Sequence, residues 1–99
     1  MIGTDPGQAA GILRGLAASQ PGDIQVQANY LAALYRSHSA GDFDRALGAA
    51  KGGGVTINQM LKVPAFREAI QEESRLQRAK SPNKVLSTET MTRILDDLK

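Results

Sequence analysis

Three consecutive glycines, Gly52-Gly53-Gly54, interrupt a 99-residue sequence that otherwise favours helix. Held inside a helix, the run would cost about 3 kcal/mol in propensity, so the chain is expected to turn there. On either side, apolar residues recur at three- and four-residue spacing, the repeat of one helical face. Phe43, Ala46, Leu47 and Ala50 share a face before the glycines, and Ile57, Met60 and Leu61 share one after them. The pattern predicts two short helices meeting at a tight corner. The first runs from Phe43 to about Ala50 with Asp42 as its cap, and the second from about Val55 to Lys62.

The same periodicity predicts an all-α fold, a small domain of five to six helices, with no alternating strand pattern and no internal repeat. Asp5-Pro6 opens a first helix weakened by Gly11 and Gly15, and Gln20-Pro21-Gly22 breaks it. Asp23 caps a second helix that turns Val26, Tyr30, Leu31, Leu34 and Tyr35 inward and ends near Ser37, where Gly41 can take a left-handed terminal conformation. Pro64 begins a helix to about Lys80, with Phe66, Ala69, Ile70 and Leu76 inward and Arg67, Glu68, Glu72, Glu73, Arg75 and Arg78 on a solvated outer face. Ser81-Pro82 starts a last helix, restarted near Ser87, whose stripe is Val85, Met91, Ile94, Leu95 and Leu98. That stripe is either the last wall of the core or an oligomerisation surface.

Composition removes several classes of function. The chain has no cysteine, hence no disulfide framework, no thiolate nucleophile and no thiolate metal ligand. His38 is the single histidine, too little for a metal site, and it reads as a helix-end residue. Lys51 precedes the glycines and follows a helix, the reverse of a nucleotide-binding loop. No Ser/His/Asp grouping suggests itself. The expectation is a protein that is not an enzyme and takes no cofactor and no metal. No apolar run approaches the roughly 20 residues that span a membrane, and Met1-Ile2-Gly3-Thr4-Asp5 lacks the pattern of a signal peptide. A cytoplasmic location is expected. The net charge of +2 is small, and its excess falls in residues 41–80, with seven bases against five acids.

A helix, a tight turn and a second short helix is the arrangement by which many proteins place one helix in a DNA major groove. Ala46, Ala49 and Ala50 are small enough for two helices to cross closely, and Ile57 can lock the pair. The stretch Gly41-Asp42-Phe43-Asp44-Arg45-Ala46, then Ala49-Ala50, Thr56-Ile57, Met60-Leu61-Lys62 and Pro64-Ala65-Phe66-Arg67-Glu68-Ala69-Ile70 resembles the helix-turn-helix of tailed-bacteriophage terminase small subunits. Gln27, Tyr30, Leu31 and Leu34 resemble the helix that precedes this unit. The Lys51-Gly52-Gly53-Gly54 turn departs from the single glycine usual there, and Met60 stands where an aromatic is common. The resemblance implies a non-catalytic subunit that recognises viral DNA for packaging, forms a homo-oligomer and regulates the large terminase subunit in the bacterial host cytoplasm.

On this reading residues 1–80 form a helical DNA-binding domain with its helix-turn-helix at 42–62, and residues 81–99 a C-terminal helix. Thr56, Asn58, Gln59 and Lys62 are the candidates for base edges, since Asn and Gln can pair with adenine and Lys with guanine or phosphate. Free backbone N–H groups at Gly54 and Val55 could hold a phosphate. Arg45, Lys51, Arg67, Arg75, Arg78 and Lys80 are candidates for phosphate contacts, with Arg45 and Lys51 favoured because they flank the corner. Two other readings stand beside it: a helix-turn-helix transcriptional regulator of a phage or mobile element, and a helical interaction or inhibitor module that does not touch DNA.

Overall fold

The computed structural model describes residues 6–97, and side chains from residue 11 onward. Among the described residues six helices follow one another: α1 (Pro6–Ser19), α2 (Ile24–Arg36), α3 (Ala40–Gly52), α4 (Ile57–Met60), α5 (Pro64–Arg78) and α6 (Thr88–Asp97). No strand occurs among the described residues, so the fold is all-α as the periodicity predicts.

Local chemistry sets most of the boundaries. Asp23 caps α2 by accepting the Val26 N–H at 3.0 Å. Pro64 opens α5, where its missing N–H costs nothing. Three helices, α2, α3 and α5, end in the same paired closure, in which a left-handed residue lets two N–H groups return to the last carbonyls. At α3 the Val55 N–H reaches the Ala50 carbonyl at 2.9 Å and the Gly54 N–H reaches that of Lys51 at 3.0 Å. Gly54 is the left-handed residue there, at φ 88°. His38 (φ 58°) and Lys80 (φ 53°) take that role after α2 and α5. The periodicity alone points to Gly41 for the first of these. Gly41 instead lies in the opening turn of α3, because the closure at His38 leaves only Ser39 between the left-handed residue and the next helix.

Helix α2 is the central element. Leu31, Ala28, Leu34 and Tyr35 are buried, and α2 packs against α1, α3, α4 and α5. Phe43, Leu47 and Ala50 of α3, Val55 after the corner, Ile57 and Met60 of α4 and Phe66 of α5 complete one core with it. Helix α6 closes that core with Met91 and Ile94, joined by Leu86 from the preceding segment. The last helix does not begin at Ser81 but at the expected restart: it runs from Thr88, capped by Ser87, whose hydroxyl accepts the Thr90 N–H at 3.1 Å.

The reason for the late start is a residue expected from its neighbours to be solvated. Glu73 is fully buried. Its carboxylate accepts the backbone N–H groups of Val85 (3.0 Å) and Leu86 (2.9 Å), the Gln77 amide (2.7 Å) and the Tyr35 hydroxyl (3.1 Å). Gln77 also donates to the Leu86 carbonyl at 2.9 Å. Those bonds hold residues 85–86 in a non-helical path against α5. Burial, then the hydrogen bond and charge of Glu73, with Glu72 close by, push the Tyr35 hydroxyl far above the ordinary tyrosine range.

Candidate nucleic-acid interface

The corner between α3 and α4 turns as the glycine run predicts, but the three glycines have different tasks. Gly52 completes the last turn of α3, and a Cβ there would meet nothing within 4 Å. Gly53 lies against the α1–α2 turn so closely that a Cβ would sit 2.6 Å from the Pro21 carbonyl oxygen. Gly54 supplies the left-handed backbone. The α1–α2 turn and the α3–α4 corner are therefore packed backbone to backbone.

Helix α4 is a single turn, much shorter than the 55–62 segment expected. Thr56 and Gln59 define its start as a reciprocal capping box. The Gln59 N–H donates to the Thr56 hydroxyl oxygen at 3.2 Å, and the Thr56 N–H donates to the Gln59 carboxamide oxygen at 3.0 Å. Val63, held at ψ 119° before Pro64, prevents the helix from running on. Ile57 and Met60 are buried, while Asn58 and Lys62 are exposed one turn apart. They form the outward ridge of this segment.

The expected DNA-contacting residues do not all gather on that ridge. Asn58 and Lys62 do, and Lys62 makes no ion pair among the described residues. Thr56 and Gln59 stand beside them, but the cap already engages the Thr56 hydroxyl as an acceptor and the Gln59 oxygen, which leaves the Gln59 amide nitrogen as its donor to the outside. The N–H groups of Gly54 and Val55 are not free as expected: both are bonded to α3 carbonyls, so neither can hold a phosphate, and the Val55 side chain lies in the core. Lys51 pairs with Asp97 of α6 at 2.9 Å. Arg45 pairs with Asp42 and lines a different groove, with Arg14, Ala17, Tyr30 and Ala49.

Two grooves lie by this segment, one lined in part by Lys62 and the other by its neighbour Leu61. One, about 410 Å³, is lined by Ile24, Gln25, Gln59, Lys62, Val63 and Pro64. The other, about 380 Å³, is lined by Leu61, Arg67, Ile70, Gln71, Ser74 and Arg78. Gln25, which no sequence pattern marks, joins the first of these grooves because the first turn of α2 packs beside the α4–α5 junction.

The expected oligomerisation stripe is also divided. Met91 and Ile94 fill this chain's own core and offer nothing to a neighbour. Val85 is half-buried against the same core, Leu95 is 48% exposed, and Leu98 lies outside the described residues. The helix wall is needed because a chain of this size has little other apolar surface to close its core. No helix among the described residues is long and apolar enough to cross a membrane.

No family model matches the chain, and neither does any curated protein or solved structure.

Proposed function

We propose that this chain is a non-catalytic, duplex-DNA-binding protein of the terminase small-subunit kind, which recognises viral DNA for packaging, works as a homo-oligomer and regulates a large terminase subunit. The observation that carries the DNA reading is the reversal at Gly53-Gly54, which leaves Asn58 and Lys62 exposed on a ridge beside grooves lined by Lys62 and by its neighbour Leu61. The resemblance from Gly41 to Phe66 supports the packaging role. A one-turn helix reaches fewer bases than a full recognition helix, so most of the affinity is expected to come from phosphate contacts and only a small part from sequence.

The test is an anisotropy titration of a labelled duplex across a salt series. Binding that weakens steeply as salt rises supports the reading. Asn58→Ala should alter the preference between duplex sequences, and Lys62→Ala should weaken binding to all of them by a factor of about 3–10. Salt-independent binding, or none, would sink it.

One observation favours a protein-interaction module instead. Ile12 is 66% exposed and Leu16 is 41% exposed, one turn apart on α1. If substitution of this pair removes binding to a partner protein while the wild-type chain ignores DNA, the interaction module is the correct reading.

A further inference from the structure

Charge pairing sorts the six cations named as candidates for phosphate contacts. Arg45 is paired with Asp42, Lys51 with Asp97 and Arg75 with Glu72. Arg67, Arg78 and Lys80 make no ion pair among the described residues. Lys80 lies beyond the end of α5 in a left-handed conformation, but the two arginines share one groove.

Their placement on α5 is regular. Arg67, Gln71, Ser74 and Arg78 fall within a sector of about 60° on a helix of 3.6 residues per turn, and the two arginines stand roughly 16 Å apart along its axis. The acids of α5 are directed elsewhere. Glu68 faces Arg36 of α2 at 3.8 Å, Glu72 holds Arg75, and Glu73 is buried. The groove lining contains no carboxylate: it presents two guanidinium groups, an amide, a hydroxyl and the apolar floor of Leu61 and Ile70. An arginine without a carboxylate partner keeps all its N–H donors for planar, two-point contacts with phosphate oxygens. Gln71 and Ser74, between the two, add the neutral donors that commonly reach backbone phosphates.

We infer that the Arg67–Gln71–Ser74–Arg78 stripe of α5 binds the sugar-phosphate backbone of one strand of duplex DNA while the Asn58–Lys62 ridge faces the adjoining groove of that duplex. This rests on the DNA-binding reading and adds to it which cations grip the strand. The two arginines grip phosphate, whereas Arg45 and Arg75 already face carboxylates of their own helices and Lys51 faces Asp97 of α6. Strand contact along α5 also compensates for the shortness of α4, since the affinity comes from a helix of 15 residues rather than four.

The experiment compares salt dependence of duplex binding for the full chain and for Arg67→Ala, Arg78→Ala, their double variant and Arg75→Ala. Removing either arginine from the strand should make the slope of log K against log salt shallower by about 0.9, and removing both by about twice that. Arg75→Ala should leave the slope at its wild-type value. Arg67→Lys and Arg78→Lys, which keep the charge, should keep the slope. Thermal melts of the variants check that these exposed positions leave the fold intact. A wild-type chain that binds duplex with a slope unchanged in the double variant overturns the stripe and leaves the DNA reading standing. An equal change in Arg75→Ala also overturns it, because the effect is then general charge. A weakening seen on single strands but not on duplex overturns the duplex assignment, and a wild-type chain that does not bind DNA overturns both.

Discussion

Gly52, Gly53 and Gly54 are alike in sequence and unlike in structure, so three alanine substitutions separate their roles. Gly52→Ala is expected to stabilise the protein by about 0.5–1 kcal/mol, since it replaces a helical glycine in open space. Gly54→Ala should cost about 1–2 kcal/mol for a side chain held at positive φ. Gly53→Ala should cost more than Gly54→Ala, because the Pro21 carbonyl must move away and the α1–α2 turn with it. Chemical denaturation of the three variants checks the order. Tyr35 offers a second test. Its hydroxyl is held neutral in the folded state well above its unfolded value, so the unfolded chain loses that proton first as pH rises. Stability from this group is therefore complete below about pH 10 and falls above it. In a Tyr30→Phe background, where Tyr35 is the sole tyrosine, tyrosinate absorbance should appear together with unfolding. Its appearance near pH 10 in a folded protein would refute the burial of the hydroxyl.

The starts of α2 and α5 are legible from the amino-acid order, whereas the expected Asp42 cap lies inside the first turn of an α3 that begins at Ala40, and contacts with distant partners are not legible. Asp23 and Pro64 mark the starts of α2 and α5 because a cap or a proline acts within one turn. The glycine corner was legible for the same reason. Helix α4 is shorter than the apolar spacing from 55 to 62 suggests because Val55 still closes α3 and Thr56 caps the next helix at its start, while the chain turns at 61–62 into the extended Val63 before Pro64. Glu73 looked solvated among its charged neighbours, and its burial depends on N–H groups 12 and 13 residues downstream. One signal was present: Glu73 shares a helical face with Phe66, Ala69 and Ile70. Removing this carboxylate leaves two backbone donors unpaired, so Glu73→Ala should destabilise by about 3 kcal/mol or more, against less than about 0.5 kcal/mol for the exposed Glu68→Ala. Hydrogen exchange should show faster exchange at Val85 and Leu86 and then across α6.

At the scale of the molecule, α6 belongs to the same body as the rest of the described chain. The radius of gyration, 12.7 Å, is close to the about 13 Å of a single domain of this length. Beside the apolar contacts, Lys51–Asp97 and the Asp44 carboxylate, which accepts from Thr90 at 3.0 Å and from Arg93 at 3.3 Å, tie α6 to α3. Two cations near the corner are thereby committed to internal pairs, Lys51 to α6 and Arg45 to Asp42, which moves the expected DNA face from the start of the corner toward α4 and α5. Lys51→Ala is accordingly predicted to change DNA affinity less than Lys62→Ala, and to lower stability by no more than about 1 kcal/mol, as befits a partly exposed pair. Parallel anisotropy and denaturation measurements on the two variants check both statements. Among the described residues, the large apolar side chains left exposed for self-association are Ile12, Leu16 and Leu95.

The most direct measurement is a backbone and side-chain amide chemical-shift map of the protein titrated with a short duplex at low salt. Perturbations are expected to concentrate on residues 57–62, the Asn58 side-chain amide and the Arg67–Arg78 side of α5, and to reverse with added salt. Perturbations confined to α1 and α6, or an unchanged spectrum at saturating duplex, would contradict it.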